Sequence, residues 1–246
     1  MKELVKELSV ERNDLMKAPI VEIFSSFQGE GLWIGKRQIF VRFAGCNLNC
    51  NYCDTKDSQN VNNGILKSVE EVVKKIKELK TPDLHSISFT GGEPLLYFDF
   101  INEIISQIDF KIMIETNGTL PDFLSKINNL NCVSLDLKLP EHFNMDWNEE
   151  IFNNEVLSIK SLIANKKNFY CKIVVSPSTS LNTIKGLGEK IHKIFPNDKF
   201  FIVIQPESPI KQWKNKSHVF FKFSESLGEY FNVFVIPQTH KILNIE

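Results

Sequence analysis

The sequence predicts an α/β fold, a parallel sheet covered by helices and curled into a partial (β/α) TIM-like barrel of about six to seven strands. Three observations carry this expectation. Short runs rich in β-branched and aromatic residues recur along the chain, segments of helical period separate most of them, and polar or glycine residues collect just after each run. Parallel strands read as near-continuous apolar runs because helices cover them. In such folds ligands gather at the C-terminal ends of the strands.

The strands are expected at 38–43 (QIFVRF), 86–90 (SISFT), 111–116 (KIMIET), 132–138 (CVSLDLK), 169–175 (FYCKIVV), 200–205 (FFIVIQ) and 232–238 (NVFVIPQ). The clearest helix is 68–80 (SVEEVVKKIKELK). Ser68 stands as N-cap and Glu71 three positions on, so each can satisfy a backbone N–H of the first turn. Helices are also expected at 99–108 and 181–195, the second weakened by Gly186 and Gly188. The strand ends carry Thr90–Gly91–Gly92–Glu93–Pro94, Glu115–Thr116–Asn117–Gly118, Asp136–Leu137–Lys138, Gln205–Pro206–Glu207–Ser208 and Gln238–Thr239–His240–Lys241. Polar groups thus converge on one rim, as the mouth of an active site requires. The stretches 142–150 and 211–218 carry no readable motif, and their aromatics read as covering residues.

No internal repeat, low-complexity tract or Gly/Ser-rich linker divides the 246 residues, which read as a single domain with 1–19 as a short N-terminal extension. The formal charge is −1 and the lysines are scattered, so no electrostatic footprint for nucleic acid is present. The charged stretch 1–14 lacks the apolar core of a signal peptide, and no run approaches the ~20 apolar residues of a membrane helix. With five cysteines, an odd number, a disulfide framework is not expected. The expectation is a cytoplasmic protein with reduced thiols.

Three of those cysteines, Cys46, Cys50 and Cys53, fall within eight positions of FVRFAGCNLNCNYCDTKD (40–57). Gly45, Asn47, Asn49 and Asn51 make this a loop rather than a helix face. A structural zinc site or a closed iron–sulfur cluster needs a fourth protein ligand. Cys132 and Cys171 sit inside apolar strands and read as small buried hydrophobes. The reading that explains a triad stopping at three is a four-iron cubane, [4Fe-4S], with one iron left open to a small chelating molecule.

The Cys46-x3-Cys50-x2-Cys53 spacing, with Tyr52 before the third cysteine, resembles the cluster loop of the radical S-adenosylmethionine (SAM) enzymes, and SFTGGEPLL (88–96) resembles their glycine-rich strand end. The resemblance implies that SAM chelates the open iron and is cleaved to a deoxyadenosyl radical that abstracts hydrogen from substrate. EIFSSFQGEGLWIGKRQIFVRFAGCNLNCNYCDT (22–55) and the tail PQTHKILNIE are similar to the 7-carboxy-7-deazaguanine synthase family, so the likeness spans the chain. It implies ring contraction of 6-carboxy-5,6,7,8-tetrahydropterin with loss of ammonia, in 7-deazapurine or queuosine-type biosynthesis. It also implies a Mg2+ ion, a homodimer, and an electron donor such as flavodoxin or ferredoxin.

Carried over by position, the resemblance assigns Phe27, Gln28, Gly29, Arg42 and Thr90 to the pterin, with Arg42 on its carboxylate, where a planar fork suits bidentate binding. It assigns Thr55 to Mg2+, and Gly92, Glu93, Ser134, Asp136, Lys138, Gln205, Glu207 and Ser208 to SAM. SLDLK (134–138) departs from the Ser-Pro-Lys of many relatives. His240 and Lys241 match the family's tail without an implied role. Two other classes share part of this pattern. A radical SAM activase that makes a glycyl radical on a partner protein has the same cysteine loop but no need for Gln28–Gly29–Glu30–Gly31, Arg42 and Thr55. A non-catalytic metal-binding scaffold needs no polar rim.

Overall fold

The computed structural model describes residues 16–143 and 148–245. The charged stretch 1–14 and part of 142–150 therefore lie outside the described residues. Among the described residues nine strands form one sheet in the order β3-β1-β2-β4-β5-β6-β7-β8-β9. They are β1 (Lys17–Phe27), β2 (Arg37–Phe43), β3 (Ile65–Ser68), β4 (Ser86–Gly91), β5 (Lys111–Thr116), β6 (Leu130–Asp136), β7 (Phe169–Val175), β8 (Phe201–Pro206) and β9 (Asn232–Val235). From β2 through β4 to β9 all neighbours are parallel. The edge strands β3 and β9 do not meet, so the barrel is open.

Two strands were not anticipated. β1 and β3 extend the sheet antiparallel beyond β2, and β1 starts at Lys17, inside the span read as an extension. β1 mixes Pro19, Glu22, Ser25 and Ser26 with its apolar residues, and β3 is four residues long and largely exposed on its apolar side chains. Neither shows the continuous apolar run that marks a covered parallel strand.

The parallel strands have two distinct faces. Ile39, Val41 and Phe43 of β2, Ile87 and Phe89 of β4, Ile112 and Ile114 of β5 and their counterparts on β6–β8 belong to the main core. That core is completed by α1 (Val69–Glu78), α2 (Phe98–Ser106), α4 (Glu149–Ala164), α5 (Leu181–Ile194) and α6 (His218–Gly228), with the one-turn α3 (Pro121–Leu124) between α2 and α4. The alternate positions point to the other face. There Met113, Cys132, Tyr170 and Val203 form a small plug with Leu32, Trp33 and Ile236. Beyond the plug, toward the strand ends, this inner face turns polar. A pleated strand sends successive side chains to opposite faces. One register thus builds both the helix-covered core and the rim above the plug.

The helix at 68–80 forms as Val69–Glu78, and its capping box is complete. The Glu71 amide donates to Ser68 Oγ at 3.3 Å, and the Ser68 amide donates to Glu71 Oε2 at 2.8 Å. Val69, Val72, Val73 and Ile76 face the core. The expected helices at 99–108 and 181–195 are α2 and α5. Helix α4 escaped notice because Glu155 and Ser158 are fully buried on its inward stripe, which blurs the apolar period.

Ser68→Ala removes the side-chain half of the capping box while leaving the buried stripe of α1 intact. It is expected to cost about 1 kcal/mol, a fall in Tm of about 2–4 °C for a domain of this size, measured by thermal denaturation of the otherwise unchanged protein.

Candidate active site

The three clustered cysteines lie on the irregular loop 44–55 that leaves β2. Its first residues are pinned by backbone hydrogen bonds: the amide of Ala44 donates to Pro19 O at 2.9 Å, Gly45 to Ser58 O at 2.8 Å, and Cys46 to Gln59 O at 3.1 Å. Farther along, the Leu48 amide donates to Cys46 Sγ at 3.4 Å. Cys46, Cys50 and Cys53 are partly buried and line one cavity of about 480 Å3. Burial pushes the Cys50 thiol up to about 11 and raises that of Cys46, so neither is a thiolate at neutral pH without a cation to stabilise it. Cys132 and Cys171 are buried within the sheet, as expected. Three thiols and no fourth is the donor set of a cluster with one open iron.

The strand end of β4 holds this loop from beneath. Gly92 packs so closely that a Cβ there would collide with the carbonyl oxygens of Gly45 and Ser58. Its lack of a side chain admits the chain's own backbone. Glu93 is fully buried and does not line the cavity. Its carboxyl accepts from the Leu95 amide at 3.0 Å, Thr116 Oγ1 at 2.8 Å and the Asn117 amide at 2.8 Å. Asn117 Nδ2 then donates to Asn47 Oδ1 at 2.8 Å, and Asn47 Nδ2 to Thr119 Oγ1 at 2.8 Å. Burial, only partly offset by these donors, pushes the Glu93 carboxyl up to about 7.

Phe27, Gln28, Gly29, Arg42 and Thr90 line the same cavity. Gln28 is buried and its amide is fully engaged. Nε2 donates to Gln38 Oε1 at 2.9 Å and Glu115 Oε1 at 3.0 Å, while Oε1 accepts from the Glu30 amide at 3.1 Å. Gly29 makes room for the segment after β9: a Cβ would strike the His240 ring, and Gly29 O accepts from the Thr239 amide at 2.9 Å. Arg42 donates Nε to Glu22 at 2.7 Å and lies over the Phe24 ring, which leaves both terminal nitrogens without a hydrogen-bond partner among the described residues.

The remaining expected residues, Thr55, Asp136, Lys138, Gln205, Glu207 and Ser208, also line the cavity. Ser134 does not; it is buried and hydrogen-bonded to Tyr170. Gln205 Oε1 is buried and has no partner among the described residues. An orphaned acceptor in a cavity wall fits a ligand that brings a donor.

Several cavity residues were missed. Lys172 on β7 donates to Glu30 Oε2 at 2.7 Å and lies 3.3 Å from Asp136 Oδ1. Burial opposes both carboxylates' charge, but the lysines outweigh it and hold Glu30 and Asp136 below the usual carboxylate range. A lone cation inside the apolar run FYCKIVV was a readable signal of this site. Glu115, Gln238 and His240 sit on strand ends noted for polarity, yet nothing in the sequence singles them out. Glu30, Asp54 and His240 bring ligand atoms within 4.8 Å of one another, next to Thr55.

The chain matches the radical SAM superfamily over residues 40–207. It is 43% identical to the 7-carboxy-7-deazaguanine synthase of Methanothermobacter thermautotrophicus, a match covering 94% of this chain and 99% of the relative. The chain belongs to the 7-carboxy-7-deazaguanine synthase family. A second synthase, from Methanocaldococcus jannaschii, is 36% identical across 92% of this chain and 99% of its own. QueE from Escherichia coli shares the fold with a TM-score of 0.61 at 20% identity, covering 92% of this chain and 96% of that one. The chain is thus a radical SAM enzyme, and the expected open (β/α) barrel is the one observed.

One histidine near the site is structural and sets an acid limit. His142 packs its ring 4.3 Å from that of Tyr52, accepts from the Leu139 amide at Nδ1 and donates Nε2–H to Val174 O, both at 2.9 Å. Burial first, then Lys138, depresses it from 6.5 to about 3. The unfolded imidazole therefore binds a proton near pH 6.5 that the folded one refuses. Its contribution to stability is complete at higher pH and lost as pH falls from 6.5 toward 3. Between pH 7.5 and 5 the loss is about 2 kcal/mol. His142→Gln is expected to be less stable at pH 7.5, with its deficit against the parent shrinking by about that amount at pH 5 in denaturant titrations.

Proposed function

We propose that this enzyme converts 6-carboxy-5,6,7,8-tetrahydropterin to 7-carboxy-7-deazaguanine with loss of ammonia, supplying 7-deazapurine or queuosine-type biosynthesis. One observation carries the reading: a three-thiol loop and an arginine whose two terminal nitrogens have no hydrogen-bond partner among the described residues line one cavity whose size suits small molecules.

Cys46, Cys50 and Cys53 hold a [4Fe-4S] cluster, and the polar wall formed by Gly92, Asp136, Lys138, Gln205, Glu207 and Ser208 holds SAM. Bound together, cluster and SAM supply the radical that abstracts hydrogen from the pterin. The orphaned Gln205 carbonyl offers an acceptor to SAM. Glu93 and Ser134 serve this side from behind the wall, Glu93 by fixing Asn117 and the cysteine loop, Ser134 through Tyr170. On the pterin side Arg42 takes the substrate carboxylate through its two terminal nitrogens while Glu22 fixes the guanidinium, and Phe27, Gly29 and Thr90 frame the ring. Gln28 acts by holding Glu115 and the Glu30 backbone, since its amide has no donor to spare. Thr55 is a hard oxygen ligand for Mg2+, which keeps most of its waters and orients the carboxylate. Residues 1–246 act as one domain, a cytoplasmic homodimer reduced by a flavodoxin- or ferredoxin-type donor.

The test is anaerobic. Reconstituted enzyme with dithionite, SAM, Mg2+ and the tetrahydropterin is expected to yield 7-carboxy-7-deazaguanine by mass spectrometry. Cys50→Ala abolishes the product, and Arg42→Ala raises KM by roughly 10- to 100-fold, the worth of a lost charge-assisted pair. Deoxyadenosine without that product from the parent enzyme overturns the substrate assignment.

A further inference from the structure

The charged groups of the cavity form a closed circuit. Lys138 Nζ donates to Tyr52 Oη at 2.7 Å and to Asp136 Oδ2 at 2.8 Å. Asp136 Oδ1 lies 3.3 Å from Lys172 Nζ, which donates to Glu30 Oε2 at 2.7 Å. Gln238 Nε2 bridges Glu30 Oε1 at 2.7 Å and Asp54 Oδ2 at 2.9 Å, while its Oε1 accepts from Ser208 at 2.6 Å. Tyr52 and Asp54 are the two chain neighbours of Cys53, so the circuit leaves the cysteine loop on one side of that residue and returns on the other. Its members come from β6, β7, the segments after β1 and β9, and the loop itself.

Within this circuit Lys172 holds a singular place. The register sets it beside Asp136, and its Nζ contacts one carboxylate on each ligand side, Asp136 among the SAM residues and Glu30 beside the pterin residues. It stands 7% exposed in a strand whose other residues are apolar or uncharged. A buried ammonium is expensive to desolvate, and a well-packed apolar side chain at such a position is often as stable. Fold stability alone does not account for a lysine here, whereas a link between the two sides does. A ligand that draws on Glu30 changes what Lys172 can give Asp136, and through Asp136 the pose of Lys138 against Tyr52.

We propose that Lys172 is a positioning residue that couples the two halves of the cavity, so that pterin and SAM bind cooperatively. The proposal rests on the pterin-and-SAM reading above. Coupling of this kind is reciprocal, and each ligand must tighten the other by the same factor.

The experiment uses the holoenzyme with its cluster oxidised, where no turnover occurs. SAM affinity is measured by calorimetry with and without saturating 6-carboxytetrahydropterin, then in the reverse order. The parent is expected to show about 5-fold tightening or more, the lower end of typical coupling. In Lys172→Met the factor falls to about 1, and Lys172→Arg restores at least part of it, since the charge returns. Lys172→Gln, which keeps a polar group without the charge, behaves as Lys172→Met and serves if the methionine variant assembles poorly. In turnover, the same variants release more deoxyadenosine per product. A purely structural lysine would weaken both affinities and leave the factor unchanged, and that result overturns the proposal, as does a parent factor of 1. A parent that binds SAM but no pterin refutes the substrate reading, and the coupling falls with it.

Discussion

The buried carboxyl of Glu93 is the contact on which the site depends. It stands two residues beyond β4, and its two oxygens take hydrogens from the turn that follows, from Thr116 at the end of β5 and from the Asn117 backbone. Asn117 passes the constraint to Asn47, inside the cysteine loop, and the amide of Glu93 itself donates to Gly45 O at 2.9 Å. A loop with no regular structure thereby acquires the rigidity of two adjacent strands. Thiols that must meet a compact inorganic core need that rigidity, because loop residues otherwise sample many arrangements.

Above this anchor, the period of the strands sets the chemistry. Every parallel strand from β2 to β8 presents apolar residues to the helices and, at an alternate position, a polar residue to the cavity: Arg42, Thr90, Glu115, Asp136, Lys172 and Gln205, all but Lys172 near the C-terminal end of the strand. Adjacent strands in register bring these side chains into reach of one another, which is how Asp136 meets Lys172. The cost of burying so many polar groups is contained because they are paired or open onto the cavity.

The parallel strands, the cysteine loop and the polar rim were legible because each has a local signature: continuous apolar runs, cysteine spacing, and glycine or polar punctuation at strand ends. β1 was not, since an antiparallel strand carrying Pro19, Glu22 and two serines lacks the covered-strand pattern. Helix α4 hid behind buried Glu155 and Ser158, whose partners, the Lys138 amide and Gly118 O, are remote in sequence. Likewise Gln28 and Glu93 were placed in the right neighbourhood, but whether a side chain touches ligand or props up its neighbour is decided by which partners already occupy it. Gly92 lines the cavity, and its lack of a side chain also admits the backbone of Gly45 and Ser58, a packing role its sequence does not announce.

The contact between Gly29 and Thr239 spans 210 positions of chain. Gly29 precedes Thr239 in synthesis, so one wall of the cavity is added after the strand that carries the cysteine loop has been made. Gln238 reaches Glu30 and Asp54 from that late segment, and Asp54 is the chain neighbour of Cys53. Docking of the 236–243 segment therefore ties completion of this cavity wall to completion of the fold, since Gln238 joins Glu30 near one end of the sheet to Asp54 of the cysteine loop.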